Sequence, residues 1–158
     1  MFSTADLYDE YGENLQVATP VLNDYGGRKI FSGPISTVKV FEDNSLVRAA
    51  LEESGDGKVL VVDGGSSLRC ALLGDMLADL GKTNNWSGVI VNGCIRDSAV
   101  IATIDFGVKA LDTNPRKSVK KGVGERDIPI SFADVTFNPG DYIYADTDGI
   151  IISTQKLV

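Results

Sequence analysis

Histidine is the residue whose absence restricts this chain most, because none of its 158 positions carries one. Without an imidazole there is no Ser-His-Asp or Cys-His nucleophile system, no histidine zinc site and no histidine general base. Any catalysis must therefore use carboxylates, guanidinium or ammonium groups, tyrosine, cysteine, backbone amides or a bound metal.

Cysteine and positive charge are also scarce. The two cysteines, Cys70 and Cys94, each lie in an apolar stretch, which favours buried free thiols over a disulfide or a metal pair. Lys and Arg number 15 against 22 Asp and Glu, giving a net charge of −7. This balance argues against direct binding of nucleic acid, which needs an excess of basic residues facing the phosphates. An anionic small molecule would need a local focus of positive charge.

Long apolar runs are missing as well. No stretch approaches the ~20 residues of a membrane helix, and the acidic start MFSTADLYDEYGEN lacks the apolar core of a secretory signal. We therefore expect no membrane association and a cytoplasmic location. The chain has the length of one ordinary domain. No repeat, low-complexity tract or linker divides it, so residues 1–158 are expected to form a single domain.

Helix and strand patterns alternate in the middle of the chain. Buried strands are predicted at 58–62 and 89–92, and a strand at 35–40 after Pro34. Amphipathic helices follow in EDNSLVRAALEES, capped by Asp43 or Asn44, and in DMLADLGKTNN. The basic segment 113–127 is expected to be an exposed loop, and the last part to be strands and turns. The pattern predicts one α/β domain with a mixed sheet or β/β/α layering.

Two charged pairs follow consecutive apolar segments. Gly74-Asp75 opens a predicted helix with Asp75 at its cap, so the amides near Met76 and Leu77 would be free to bind a carboxylate or phosphate. Arg96 follows the strand 89–92, where open α/β sheets place ligands, and its guanidinium can hold a carboxylate with two hydrogen bonds. Asp97 supplies a hard oxygen suited to Mg²⁺ or Mn²⁺.

Each of these residues also has a purely structural interpretation. Asp75 and Asp97 can be helix caps, worth about 1 kcal/mol each, and Arg96 can pair with a surface acid for less than that. The recurrence of such a pair at the ends of consecutive units makes a binding site as plausible as the purely structural interpretation. Physical reasoning ends there, at an anion-and-metal pocket of unknown chemistry.

The stretches FSGPISTVKVFEDNSLVRAALEESGDGKVLVVDGGSSLRCALLGDMLA, GVIVNGCIRD and DVTFNPGDYIYADTDGIIIS resemble a known family. It comprises the regulators of ribonuclease activity A and their relatives, the class II, metal-dependent 4-hydroxy-4-methyl-2-oxoglutarate aldolases. The resemblance covers nearly the whole chain. It implies a single α/β domain of the swivelling β/β/α type, with a mixed sheet and flanking helices, assembled as a homotrimeric ring with sites at subunit clefts.

For the aldolase branch, the resemblance implies roles for six residues. Gly74, Asp75, Met76 and Leu77 would bind the pyruvate carboxylate through backbone amides, Arg96 would contact the substrate, and Asp97 would hold Mg²⁺ or Mn²⁺. Cleavage would give two pyruvates through a pyruvate enolate, and the same enolate implies a secondary oxaloacetate decarboxylase activity. Arg96 and Asp75 would be the catalytic residues, Asp75 by orienting a metal-linked water that acts as the base.

Other interpretations stay open. The regulators of the family lack the aspartate of the Arg-Asp pair and inhibit ribonuclease E by binding it, so this chain is expected to be an enzyme, with ribonuclease E binding as the alternative. A Schiff-base lysine and a nucleotide site at VLVVDGG are weaker hypotheses. Asp146 and Asp148 fit a hairpin turn better than an acid donated to a neighbouring subunit.

Overall fold

The computed structural model describes all 158 residues, which form four α-helices and twelve strands. The helices are α1 (Thr4–Tyr11), α2 (Ser45–Glu52), α3 (Asp75–Thr83) and α4 (Ser98–Ile101), and a 3₁₀ turn covers Gly12–Asn14. The strands are β1 (Leu15–Val17), β2 (Asn23–Asp24), β3 (Phe31–Lys39), β4 (Val59–Asp63), β5 (Ala71–Leu73), β6 (Gly88–Ile95), β7 (Gly107–Thr113), β8 (Glu125–Arg126), β9 (Ile130–Phe132), β10 (Val135–Phe137), β11 (Tyr142–Asp146) and β12 (Gly149–Ser153).

Ten of the strands form one mixed sheet. Its order is β1-β12-β11-β3-β4-β6-β7-β2, with β5 beside β6 and β8 beside β3, while β9 and β10 form a separate hairpin. The central strands β3, β4, β6 and β7 run parallel, as do β5 and β6, and the outer pairs are antiparallel. The prediction of an α/β fold with a mixed sheet and flanking helices is confirmed.

The central strands are buried on both faces, as expected for parallel strands covered on each side. Leu60 and Val62 of β4 belong to a core of 20 residues shared with α2 and α3. Val59 and Val61 of the same strand point the other way, into a core of 13 residues shared with β11 and β12. The twofold alternation of a β-strand therefore separates the two cores.

Two predicted segments differ in the structure. Strand β3 begins at Phe31 rather than after Pro34, because β11 pairs with its first half and β4 with its second half, and Pro34 lies where the two ladders meet. The segment 113–127 is mostly exposed, as predicted, but Ser118 is buried and Glu125–Arg126 pairs with β3. No helix is long and apolar enough to cross a bilayer.

Candidate functional site

Gly74-Asp75 follows β5 and Arg96-Asp97 follows β6. The two pairs lie side by side because β5 and β6 are parallel neighbours. Leu73 and Ile95, the last residues of these strands, are register partners. The amide of Arg96 donates to the carbonyl of Leu73 at 2.9 Å, which joins the two chain exits directly. Strand β6 is longer than the predicted 89–92 and ends at Ile95, so Arg96 follows it immediately.

A cavity of about 140 Å³ opens where the two strands end. All six residues singled out from the sequence, Gly74, Asp75, Met76, Leu77, Arg96 and Asp97, line it. The start of α3 and the Arg-Asp pair therefore face a common space, as the sequence analysis required. The roles of these residues stay predictions.

The two aspartates are placed differently from simple helix caps. Helix α3 begins at Asp75 and its N-cap is Gly74, so the prediction of Asp75 as the cap is wrong by one residue. Asp97 does stand at the N-cap of α4, but its side chain makes no capping hydrogen bond there. Its Oδ2 accepts instead from the amide of Asp75 at 3.2 Å, across the cavity mouth. The backbone of Asp97 is left-handed, with φ of 58°, and its carboxylate bonds to the start of α3 rather than to its own helix.

The first amides of α3 are only partly available to a ligand. The amide of Asp75 is bound to Asp97, and the amide of Met76 donates to Oδ1 of Asp75 at 2.9 Å. The amide of Leu77 has no acceptor within α3, because Leu77 is the third residue of the helix and amides of the first turn have no helical partner, and no side chain accepts from it. Of the two amides predicted to bind a carboxylate, that of Leu77 is free. A ligand could bind the amide of Met76 only by replacing the side chain of Asp75.

Arg96 has no acidic partner. The only hydrogen bond of its side chain is a long one of 3.4 Å, from Nη1 to the carbonyl of Pro115. The protein's four ion pairs involve other residues. The interpretation of Arg96 as half of a surface ion pair is therefore wrong, and its guanidinium is free to bind an anion.

Three further basic residues line the cavity, and the sequence analysis did not assign them to the site. They are Arg48 from α2, and Lys117 and Lys120 from the basic segment. Together with Arg96 they give four positive charges against the two of Asp75 and Asp97, a net charge of +2 in a protein of net charge −7. The only sequence signal was the run RKSVKK, which on its own is typical of a solvated loop.

Asp43 holds the basic segment against α2. Its Oδ1 accepts from the amide and hydroxyl of Ser45, and its Oδ2 accepts from the amides of Lys121 and Val123. Burial acts to raise the pKa of Asp43, but these hydrogen bonds outweigh it and lower the pKa to about 2. Asn44, the other candidate cap, makes no side-chain cap bond. Asp43 is therefore the residue that organises this end of the helix.

The donor set suits a magnesium-type ion bound with few protein ligands. No group of three or more acidic, cysteine or histidine side chains is present that would make a closed metal cage. Asp97 is exposed, the only hydrogen bond of its side chain is the one from the amide of Asp75, and no cation pairs with it. Mg²⁺ usually binds through one or two carboxylates and keeps waters or substrate oxygens at its other positions. Asp97 fits that pattern.

The remaining predicted residues lie away from the cavity. Cys70 and Cys94 are buried free thiols, as predicted, and burial raises the pKa of both. Asp146 and Asp148 belong to the β11–β12 hairpin, where Asp146 accepts from the amide of Asp148. Asp146 also accepts from the amide and hydroxyl of Thr4, both at 2.7 Å. The hairpin-turn interpretation is confirmed, with the added role of anchoring α1.

The model of one protein family matches this chain over residues 4–152, under the description RraA-like, Aldolase/RraA. The chain belongs to the RraA-like family. The match covers both strand exits and the basic segment, so the cavity lies within the region that defines the family.

Three similar proteins carry three different names. A relative from Alkalilimnicola ehrlichii, provisionally named a 4-hydroxy-4-methyl-2-oxoglutarate aldolase, is 59% identical over 98% of this chain and 96% of its own. A crystal structure from Geobacillus kaustophilus, described as an S-adenosylmethionine:2-dimethylmenaquinone methyltransferase, has 51% identity and a TM-score of 0.97 over 99% of this chain and 97% of that one. The RNA-processing inhibitor RraA from Thermus thermophilus has 42% identity and a TM-score of 0.96, over 100% of this chain and 96% of that one.

Proposed function

We propose that this protein is a divalent-metal-dependent aldolase that cleaves 4-hydroxy-4-methyl-2-oxoglutarate into two pyruvates, with oxaloacetate decarboxylation as a secondary activity. The observation that carries the proposal is the convergence of an unpaired guanidinium, Arg96, and an unpaired carboxylate, Asp97, on one positively charged cavity. The provisional name of the relative at 59% identity agrees with this chemistry.

The chain's own residues bind and orient the 2-oxo acid end of the substrate. The free amide of Leu77 and the guanidinium of Arg96 are the available donors for its carboxylate, and charge-assisted bonds of this kind are stronger than neutral ones. Mg²⁺ or Mn²⁺ on Asp97 would supply a Lewis acid beside the 2-oxo group. The amide of Met76 joins the carboxylate site when Asp75 turns its Oδ1 away.

The reaction breaks the bond between C3 and C4. The hydroxyl on C4 loses its proton to a water held by the carboxylate of Asp75, C4 becomes the ketone of the first pyruvate, and the bonding electrons move to C3 and the 2-oxo oxygen. Arg96 stabilises the negative charge that develops there. Protonation of C3 then gives the second pyruvate. Oxaloacetate forms the same enolate when it loses its C4 carboxylate as CO₂, which is why one site performs both reactions.

The test is the substitution Asp97→Asn, compared with Asp79→Asn on the exposed face of α3. Asparagine tolerates the left-handed backbone at position 97, so the fold is retained. Pyruvate release from both substrates should fall about 100-fold or more in Asp97→Asn and stay unchanged in Asp79→Asn. EDTA should inhibit the wild type equally, and Mn²⁺ or Mg²⁺ should restore it. Undiminished turnover of Asp97→Asn, or of the chelated wild type, would overturn the proposal.

A second candidate is binding and inhibition of ribonuclease E. It is supported by the likeness to the RNA-processing inhibitor RraA at 42% identity and by the net charge of −7, which complements a basic RNA-binding segment. Such binding should survive Asp97→Asn and weaken with salt. Failure to capture ribonuclease E at low salt would remove this candidate.

We also propose that the protein is a homotrimer and that it is located in the cytoplasm. Light scattering would test the trimer as a mass near three times 16.9 kDa.

A further inference from the structure

We propose that Arg48, Lys117 and Lys120, here called the basic rim, form a second anion subsite that selects 2-oxo acids with a distal carboxylate. The inference deepens the proposed function, on which it rests, by assigning the substrate class to particular residues. It starts from the fact that the cavity holds more positive charge than one carboxylate and one cation-binding aspartate require.

The basic rim is not neutralised by the protein. None of its three side chains takes part in any of the four ion pairs, and none has a side-chain hydrogen bond. Elsewhere on the same chain, Arg28, Arg69, Lys109 and Arg126 all have acidic partners within 3.0 Å. In an acidic protein, an unpaired group of cations around one cavity is available for a ligand anion.

The path of the basic segment sets the order of the positive groups around the cavity. Pro115 contacts Arg96, and the carbonyl of Arg116 accepts from the amide of Ala71 at 2.8 Å, so this end of the segment lies along β5. Ser118 accepts from the amide of Asn44 at 3.1 Å, at the start of α2. The segment therefore runs along the cavity from Arg96 to the start of α2. Lys117 and Lys120 belong to this stretch and line the cavity.

This stretch is fixed rather than loose. Asp43 accepts from the amides of Lys121 and Val123, directly after Lys120, and Val119 pairs with Asp43 in an isolated bridge. Arg48 lies one turn into α2, and the same aspartate accepts from the amide of Ser45, the first residue of that helix. A ligand whose first carboxylate is bound by Arg96 and Leu77 would thus present its far end to the basic rim.

The binding test uses two probes that differ only in the distal carboxylate: 2-oxoglutarate and 2-oxopentanoate, each titrated by calorimetry in the presence of Mg²⁺. The variant is Lys117→Gln/Lys120→Gln, and the control is Lys121→Gln, whose side chain does not line the cavity. All three positions are exposed, so the fold should be unaffected. We expect the wild type and the control to prefer 2-oxoglutarate by about tenfold or more, and the double variant to lose that preference without losing affinity for 2-oxopentanoate.

Equal binding of the two probes by the wild type would overturn the subsite, as would a preference that survives in the double variant. A preference lost to the same extent in Lys121→Gln would also overturn it, since that result indicates a general charge effect. The kinetic counterpart separates the subsite from the proposed function. The double variant should raise KM for 4-hydroxy-4-methyl-2-oxoglutarate about tenfold while kcat, and turnover of the monocarboxylate 4-hydroxy-2-oxopentanoate, stay near wild type. A wild type that cleaves neither substrate contradicts the aldolase proposal and leaves the binding comparison as the decisive test of the subsite.

Discussion

At the scale of single residues, Gly74 shows how closely the two halves of the site approach each other. A Cβ atom at this position would lie 2.8 Å from Oδ2 of Asp97. The φ of Gly74 is −125°, which any residue can adopt, so the need for glycine comes from the neighbouring carboxylate and not from the backbone. A side chain here would push Asp97 away from the amide of Asp75.

The substitution Gly74→Ala should therefore reduce activity more than stability. We expect oxaloacetate decarboxylation to fall about 10- to 100-fold, because small displacements of a catalytic group have effects of this size. The melting temperature should change little, since Gly74 is only partly buried and the carboxylate can move into solvent. Pyruvate release and a thermal melt measure the two effects.

Gly93→Ala is the matched control for this prediction. Its added methyl would meet Leu72 at 3.4 Å and Val91 at 3.6 Å, which are ordinary contacts. Full activity in Gly74→Ala would mean that the position of Asp97 is not critical. An equal loss in both variants would point to the sheet rather than to the site.

The sequence suggested which residues would lie together at one cavity, but not the hydrogen bonds between them. Arg96 and Asp97 could be proposed because their residue types and their position after a strand suggest anion and metal binding. The bond from the amide of Asp75 to Asp97 forms where position 97 has a left-handed φ. Nothing in the residue types fixes that angle.

At the scale of elements, the contact between α2 and the basic segment depends on one carboxylate. Asp43→Asn would replace one acceptor oxygen by an NH₂ group, which cannot accept from Lys121 and Val123 if the other oxygen stays with Ser45. We expect a loss of about 1–3 kcal/mol in the free energy of unfolding. The segment should also become sensitive to trypsin at Lys120 and Lys121, as urea unfolding and limited proteolysis would measure.

Asp127→Asn serves as the control, because Asp127 is exposed, ends the same segment and makes no side-chain hydrogen bond. Its stability and its proteolysis pattern should match those of the wild type. A segment that stays equally protected in Asp43→Asn would show that the isolated bridges and Ser118 suffice to hold it.

Elements in the middle of the chain could be predicted well because their apolar periodicity is strong. The helix starting near Asp75 and the buried strands β4 and β6 appear within a few residues of their expected positions. The parallel pairing of β5 with β6 could not be predicted, because β5 has only three residues and strand pairing depends on contacts distant in sequence. The same limit applies to the basic segment, which the sequence suggested was simply exposed.

At the scale of the whole molecule, the response to pH is set by buried carboxylates and by the lack of histidine. Burial acts to raise the pKa of Asp146, but hydrogen bonds from Thr4 and from the hairpin outweigh it and lower the pKa. The pKa of Asp43 is lowered in the same way by its own hydrogen bonds. A carboxyl whose folded pKa lies below its unfolded value of about 3.9 stabilises the fold above that value. This contribution is lost as the pH falls through the folded pKa.

Stability should therefore be nearly constant between pH 5.5 and 8, since no histidine titrates in that range. It should fall steeply from about pH 4 toward pH 2, the value about which Asp43 titrates in the folded protein. Calorimetric melting temperatures across pH 2.5–8 test this. The acid-induced fall should be shallower in Asp43→Asn, and an equally steep curve in that variant would assign the acid response to other groups.

The net charge of the molecule was a useful guide. A net charge of −7 argues against a surface that binds nucleic acid, and it means that any anionic ligand needs a local group of positive charges. The structure has such a focus, although most of its charge comes from the basic rim, which the sequence analysis left in a solvated loop. Charge counts give the sign of a field, whereas the place where positive charges gather depends on tertiary contacts such as those of Asp43.

The register of β5 against β6 has an evolutionary consequence. The cleft between the strand ends is shaped by main-chain atoms, including the bond from Arg96 to Leu73, and these persist whatever side chains are attached. A substitution at Asp97 would thus remove the carboxylate from this hollow and leave its shape in place. The shape of the hollow and the side chains that line it can therefore change independently during evolution.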